Sequence, residues 1–219
     1  MYLMNITAID IAQQTHIGSD ETLKGDTFGG IVVCACYTDQ TENFSAIGVK
    51  DSKLLTNEHI MRIGAILLEQ YPDNFSFIAF EPKEYNELLS FQNQTHLLNT
   101  THKKVASLLQ ERFGHIPHFV DEFPGCTVGD VAETKAESIS LAVAAASIVA
   151  RYKGLLQFET LSNRAGFKLP MGSTHVKEGL AEALRRGLVL SEFAKLHFKN
   201  VQLAQKEASS PQKTLSEGF

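Results

Sequence analysis

The sequence contains few cysteines and no long apolar run. Its three cysteines are too few for a disulfide framework, and Cys34 and Cys36 alternate within an apolar segment. We therefore expect reduced thiols and a cytoplasmic location. No segment approaches ~18 consecutive apolar residues, the length of a membrane span. Residues 1–14 do not combine a basic start with a long apolar run, so we expect neither a membrane span nor a secretory signal.

An excess of basic charge is also missing. The 219 residues carry 20 lysines and arginines against 25 aspartates and glutamates, a net charge of −5. This balance argues against a protein that coats nucleic acid over its whole surface, because such proteins are typically basic. The sequence also lacks a glycine-rich nucleotide loop, a Ser-His-Asp order and the histidine and cysteine spacing of a zinc site.

The composition allows one sizeable core, since 43% of the residues are hydrophobic. We expect one domain over residues 1–205 and a disordered tail over residues 206–219, which are polar. The apolar periodicity predicts an α/β fold with a mixed central sheet of about five strands, flanked by helices and followed by a C-terminal helical extension. The predicted strands are 16–21, 28–37, 44–49, 74–80 and 118–123, and the predicted helices are 56–71, 82–89, 95–113, 139–150, 176–186 and 191–203.

Two adjacent acids, Asp20 and Glu21, are followed closely by Lys24 and Gly25. Carboxylates this close repel one another unless a cation lies between them, and a divalent metal ion is the usual one. A lysine beside such a cluster suggests a phosphate ligand. Neighbours on an ideal strand point to opposite faces, so both acids reach one site only if the strand ends or twists there. A solvated strand end is the ordinary alternative.

Two further acids lie at the ends of predicted elements. Asp121 closes an apolar strand, which is where α/β folds bind ligands, although acids often close strands for no functional reason. Glu137 precedes an apolar helix and completes the pattern of a capping box with Thr134. Ser173, near another predicted helix, could donate to a phosphate or cap that helix. Each of these residues therefore has a structural alternative when it is taken alone.

Taken together, the segments resemble the type 2 ribonucleases H, and most closely ribonuclease HIII. The similarity covers roughly residues 15–203, and the run from Lys135 into the apolar helix up to Arg151 is its most specific part. The other matching segments are Gly18-Ser19-Asp20-Glu21, Gly25-Asp26-Thr27-Phe28-Gly29, Asp51-Ser52-Lys53-Leu54-Leu55-Thr56, Leu169-Pro170-Met171-Gly172-Ser173 and 194–200.

The resemblance implies a ribonuclease H-like fold and metal-dependent endonucleolytic hydrolysis of the RNA strand of RNA/DNA hybrids. It also implies two Mg²⁺ or Mn²⁺ ions per site, and a hybrid or ribonucleotide-containing duplex as partner of a chain that we expect to be monomeric. The residues implied to be catalytic and to hold the metals are Asp20, Glu21, Asp121 and Glu137. The residues implied to bind substrate are Thr22, Leu23, Lys24, Gly25, Lys53 and Ser173.

The sequence departs from the family pattern at three places, of which Gly30 in place of a usual proline is a minor one. Leu23 stands where the family usually has a glycine, and leucine is unfavourable there if the backbone needs a positive φ. We also expect the N-terminal substrate-binding domain typical of ribonuclease HIII to be absent, since only about fifteen residues precede the first motif, and hybrid binding to be weaker and more salt-sensitive as a result. Two alternatives stay open, a ribonuclease of the HII type that cuts at junctions or single ribonucleotides, and a non-catalytic hybrid-binding paralogue.

Overall fold

The computed structural model describes residues 7–209 and contains a mixed five-stranded sheet. Strand β1 lies at its centre, antiparallel to β2 and parallel to β4, in the order β3-β2-β1-β4-β5. The strands are β1 (His16–Thr22), β2 (Ile31–Thr38), β3 (Phe75–Phe80), β4 (His118–Asp121) and β5 (Val131–Glu133). Because β1 and β4 are parallel neighbours, their carboxyl ends meet at one edge of the sheet.

Helices cover both faces of this sheet, as the apolar periodicity predicts. They are α1 (Ala8–Ala12), α2 (Phe44–Ile47), α3 (Asn57–Gln70), α4 (Pro82–Leu88), α5 (Gln94–Phe113), α6 (Leu141–Ala165), α7 (Lys177–Arg185) and α8 (Lys199–Ser209). Short 3₁₀ turns lie at Ser52–Leu54, Pro72–Asn74, Ala136–Ser138 and Leu190–Glu192. Thr56, where the predicted helix 56–71 begins, is the N-cap residue of α3, since its hydroxyl accepts the backbone N–H of His59.

Helix α6 is the central helix of the fold. Its alanine-rich first half packs against β1 and β2, with α3 on its other side. A Cβ on Gly18 would lie 2.3 Å from the backbone nitrogen of Val143, so only glycine permits this approach of strand to helix. Among the described residues, α6 alone is long and apolar enough to cross a bilayer, but 67% of its most apolar window is buried inside the fold.

Two more large apolar clusters, and a small one around Ile11, Phe119 and Val143, complete the core. On the opposite face of the sheet, α5 and Tyr85 of α4 cover the side chains of β1, β2 and β4. A third cluster joins the end of α6 to α7 and α8, and includes Leu23 and Phe28 from the segment between β1 and β2. The predicted C-terminal helical extension is therefore present, and it packs directly against that segment.

The fifth strand of the sheet differs from the one predicted. Residues 44–49, predicted to be a strand, form the one-turn helix α2, which Gly48 ends with φ 97°. Phe44 is the buried residue of this helix and packs against Tyr71 and Phe75. The apolar residue in this polar segment therefore belongs to a helical turn and not to a strand. The missing strand is β5, whose three residues are too few and too exposed to show an alternating pattern.

The helix boundaries near the C-terminus also need correction. The capping box predicted from Thr134 and Glu137 is wrong, because α6 begins later, with the Ser140 hydroxyl accepting the N–H of Val143 at 3.1 Å. Helix α6 continues to Ala165, and the helix predicted over 191–203 is divided into a 3₁₀ turn and α8. Residues 206–209, predicted to be disordered, belong to α8, and residues 210–219 lie outside the described residues.

Candidate active site

A cleft of about 360 Å³ opens at the carboxyl ends of β1 and β4. Eight of the ten predicted site residues line it, and Glu137 and Ser173 do not. The lining residues are Asp20, Glu21, Thr22, Leu23, Lys24, Gly25, Asp26, Ser52, Lys53, Asp121, Ser147 and Arg151. The topology therefore brings Asp20 and Asp121 together, although they are 101 positions apart in the sequence.

Asp20 and Asp121 lie side by side at the ends of two parallel strands. Asp20 is buried and accepts the N–H of Glu21, and Asp121 is half-buried and accepts the N–H of Ala136 at 2.7 Å. Burial, followed by the charges of Glu21 and Asp121, raises the pKa of Asp20 well above its usual range. Burial also raises the pKa of Asp121. Within residues 7–209 neither carboxylate belongs to an ion pair, so this part of the cleft calls for a cation.

Glu21 reaches the same cleft from the opposite face of β1. Asp20 is oriented towards Ser147 of α6, whereas the Glu21 carboxylate contacts His102 of α5 at 3.2 Å and forms an ion pair with Lys24. Strand β1 ends at Thr22, which lets both side chains border one space at the strand end. Burial alone would raise the pKa of Glu21, but the hydrogen bond and charge of His102, together with Lys24, lower it.

Glu137 lies directly behind the cleft wall. Its carboxylate accepts the backbone N–H and the hydroxyl of Ser52 at 3.2 and 3.1 Å, and forms an ion pair with Lys53. Burial alone would raise its pKa, but Lys53 and Ser52 outweigh that effect and lower it. Because the charge of Glu137 also acts on Asp121, the fourth acid belongs to the same electrostatic cluster.

The chemistry of these donors fits divalent ions that prefer oxygen ligands. Three carboxylates line the cleft and that of Glu137 lies behind its wall, and carboxylate oxygens are the ligands that Mg²⁺ and Mn²⁺ favour. Among residues 7–209, no three acidic, histidine or cysteine side chains form a ready metal cage. Glu21 and Glu137 form ion pairs with the ammonium groups of Lys24 and Lys53.

The turn after β1 has the unfavourable backbone that the sequence led us to consider. Leu23 has φ 65°, in the left-handed region, where the family has glycine. Gly25 follows, and a Cβ added there would meet nothing within 4 Å. The backbone of Gly25 is therefore open to close approach by a ligand.

Ser173 lies beside the cleft without lining it. Its carbonyl accepts the side-chain amide of Asn200 at 3.2 Å, and its neighbour Gly172 donates to Asp26 at 2.6 Å. The alternative role predicted for Ser173, capping the next helix, is wrong, because Val176 is the N-cap residue of α7 and no side chain caps it.

Five residues found here have no site role predicted from the sequence, and they are Asp26, Ser52, Ser147, Arg151 and His102. Arg151 lines the cleft and donates to the Ser52 carbonyl and the Asn57 side chain, and its place at the end of the most specific motif was a usable signal. His102 contacts Glu21 from α5, 81 residues away, and nothing in its local sequence marks it.

The sequence model of the family described as Ribonuclease HII matches residues 17–201. This chain belongs to the ribonuclease HII family. The resemblance to type 2 ribonucleases H is thereby confirmed. Among the relatives, ribonuclease HIII of Bacillus subtilis (strain 168) is 37% identical over 221 residues, which cover 91% of this chain and 70% of that protein. Ribonuclease HIII of Limosilactobacillus fermentum is 35% identical over 211 residues, which cover 88% of this chain and 69% of that protein.

Solved structures of the ribonuclease HII family share the fold. The crystal structure of Bst-RNase HIII in complex with Mn²⁺ aligns with a TM-score of 0.81 at 34% identity, over 92% of this chain and 72% of that chain. Ribonuclease H2 from Pyrococcus horikoshii OT3 aligns with a TM-score of 0.70 at 23% identity, over 89% of this chain and 99% of that chain. The predicted ribonuclease H-like fold is therefore confirmed.

Proposed function

We propose that this chain hydrolyses the RNA strand of RNA/DNA hybrids endonucleolytically, with two Mg²⁺ or Mn²⁺ ions. The observation that carries the proposal is the position of Asp20 and Asp121, which lie buried or half-buried side by side at the ends of parallel strands and form no ion pair with any of residues 7–209. Family membership and the Mn²⁺ complex of Bst-RNase HIII support the same chemistry.

The metal ions would be held by Asp20, Glu21, Asp121 and Glu137. The chemistry that bound Mg²⁺ or Mn²⁺ supplies is activation of a water at neutral pH and neutralisation of the departing 3′ oxygen. The four carboxylates act as ligands and not as nucleophiles, since their positions in a shared acidic cluster suit ion binding.

The basic side chains of the cleft orient the substrate. Lys24, Lys53 and Arg151 all line the cleft and present positive charge to a phosphate, although the chain as a whole is acidic. Their local placement explains how an acidic protein can still bind a polyanion at one site.

The turn 22–25 would select for RNA. Thr22, Leu23, Lys24 and Gly25 form one wall of the cleft, and the open backbone of Gly25 permits close contact with a ribose. The 2′-hydroxyl is the group by which a protein distinguishes RNA from DNA at a given position. Ser173 supports this wall from outside, through the loop that binds Asp26.

We propose one catalytic domain, a monomeric state and a cytoplasmic location without a membrane span. The free, buried thiols of Cys34 and Cys36 support a reducing compartment.

The decisive experiment is cleavage of a labelled RNA/DNA hybrid with and without Mg²⁺ or Mn²⁺, by wild type and Asp20→Asn. We expect the variant to lose roughly 10²–10³-fold in cleavage rate, the scale of losing one electrostatic contact to the transition state, while hybrid binding survives. Glu122→Gln is the matched control, because Glu122 is an exposed acid next to Asp121 that does not line the cleft. Equal cleavage by Asp20→Asn and wild type would show that the site is wrongly assigned.

The same assay separates the alternatives. A duplex with a single embedded ribonucleotide, cut in preference to the hybrid, would favour the HII-type activity, for which Leu23 in the altered turn is the structural reason. Binding of the hybrid without cleavage under any metal would instead indicate a non-catalytic paralogue.

A further inference from the structure

A buried chain of polar side chains ends on Glu21. It runs from His118 on β4 through Ser19 on β1 to His102 on α5. The Ser19 hydroxyl lies 2.7 Å from His118 Nε2 and 2.8 Å from His102 Nδ1, and His102 Nε2 lies 3.2 Å from Glu21 Oε2. His102 and Ser19 are completely buried, and His118 is 4% exposed.

The chain can donate to Glu21 in only one way. An ionised carboxylate only accepts hydrogen bonds, so His102 Nε2 must carry a proton. When His102 Nε2 donates to Glu21, the Nδ1 of the neutral ring is an acceptor, so the Ser19 hydroxyl donates to His102 Nδ1 and accepts from His118 Nε2. Burial, followed by the charge of His102, lowers the pKa of His118 to about 3, so His118 serves as a neutral member of the chain.

The surroundings hold the imidazole of His102 in one orientation. Its ring stacks on Phe123 with the centroids 5.2 Å apart, and α5 packs against β1 and β2 around it. The other Glu21 oxygen, Oε1, is paired with Lys24 on the cleft side. One carboxylate oxygen is therefore anchored in the core and the other is presented to the cleft.

We propose that His102, itself anchored by Ser19 and His118, is a positioning residue for Glu21, and that it holds one carboxylate oxygen so that the other faces the metal site. The inference rests on the proposed function, because it treats Glu21 as a metal ligand. Groups that hydrogen-bond to a ligating carboxylate typically change metal affinity by about 10–100-fold when they are removed. Nothing in this role requires His102 to touch substrate.

The test is the affinity for Mn²⁺ alone, measured by isothermal titration calorimetry without nucleic acid. His102→Phe keeps a ring against Phe123 and removes the donor, and we expect it to weaken Mn²⁺ binding about 10–100-fold. His102→Gln keeps a donor, and we expect it to recover most of that affinity. At saturating Mn²⁺ the KM for the hybrid should remain at the wild-type value, since the substrate contacts are unchanged.

Two comparisons keep the test decisive. If His102→Phe does not fold, as judged by circular dichroism, Ser19→Ala takes its place, with a smaller expected loss because His102 stays and only its anchor is removed. Folded variants with wild-type Mn²⁺ affinity would overturn the inference, as would equal losses for the phenylalanine and glutamine variants, which would indicate packing alone. Asp20→Asn is measured in parallel, because only the failure of Asp20→Asn to weaken Mn²⁺ binding would count against the proposed site itself.

Discussion

Leu23 has an unfavourable backbone conformation and a well-buried side chain. Its φ of 65° is costly for an L-residue with a large side chain, by about 1–2 kcal/mol. The side chain is only 5% exposed and packs in the third apolar cluster, where its Cδ1 approaches Gly29 and Gly154. Burial of the side chain therefore offsets the backbone strain. It also packs the turn 22–25 against the C-terminal extension.

Because of this balance, we expect Leu23→Gly to be more stable than Leu23→Ala. Leu23→Ala loses the burial and keeps the positive φ, so we expect a loss of about 2–5 kcal/mol. Leu23→Gly loses similar burial but removes the strain, so it should be more stable than the alanine variant by about 1 kcal/mol. Urea unfolding of both variants measures the difference. An alanine variant as stable as the glycine variant would mean that the turn is not strained in solution.

The sequence indicated that the acids would lie close together, but not the contacts that hold Glu21 and Glu137. Asp20, Glu21 and Asp121 stand beside apolar strands, so their meeting at one sheet edge could be inferred. The pairing of Glu137 with Lys53 depends on a 3₁₀ turn packing against α6, which no local pattern encodes. In the sequence His102 is one of several polar residues on a predicted helix, and its burial is evident only from the fold.

The contact between β1 and α6 is the element on which the site depends. Gly18 lies two residues before Asp20, and a Cβ there would come within 2.3–2.8 Å of backbone atoms of Ala142 and Val143. Backbone cannot move aside as a flexible side chain can. Any displacement of α6 would also move Ser147, which supports Asp20.

We therefore expect Gly18→Ala to destabilise the protein by about 1–3 kcal/mol, the cost of overpacking a core, and to lower cleavage in the fraction that still folds. Gly25→Ala is the matched comparison, because its added methyl meets no atom within 4 Å and its φ is ordinary. That variant should keep wild-type stability in urea and show only a higher KM for the hybrid. A Gly18→Ala protein as stable as Gly25→Ala would contradict the close packing.

The elements that sequence missed are those defined by tertiary contacts. Strand β5 has three residues and exists because it pairs with β4. Helix α2 has four residues, and its single buried side chain packs on Tyr71 and Phe75. The long elements α3, α5 and β1 carry a full apolar period of their own, which is why their bounds were predicted to within one or two residues.

The C-terminal extension holds in place the segment 26–29, which directly follows the turn 22–25. The buried ammonium of Lys195 donates to the carbonyls of Asp26 and Gly29 at 2.6 and 3.1 Å, and Asn200 donates to the Thr27 hydroxyl at 2.8 Å. Burial lowers the pKa of Lys195 to about 7. The sheet thus supplies Asp20, Glu21 and Asp121, while the extension fixes the segment 26–29 beside them.

Without metal, this architecture makes the stability of the protein depend on pH through Asp20. Its pKa is raised in the folded state by burial and by Glu21 and Asp121, so the folded protein retains a proton that the unfolded chain releases. The free energy of unfolding therefore falls as pH rises from the ordinary carboxyl range through the raised pKa. Lys195 acts oppositely above pH 7, because its lowered pKa means that the folded state binds fewer protons than the unfolded state.

We expect Asp20→Asn to be more stable than wild type in a chelator at neutral pH, by about 1 kcal/mol or more, which corresponds to about 2–4 °C in Tm for a chain of this size. The difference should shrink towards pH 4, where Asp20 is protonated in both states, while contributions from Lys195 cancel because both proteins retain it. Mn²⁺ should stabilise wild type increasingly as pH rises, since metal and protons compete for Asp20, and should stabilise the variant less. Glu122→Gln should follow wild type throughout. Thermal unfolding that shows no advantage of Asp20→Asn at any pH would mean that the carboxylate is neutralised within the protein itself, and the cleft would then have no need of a metal ion.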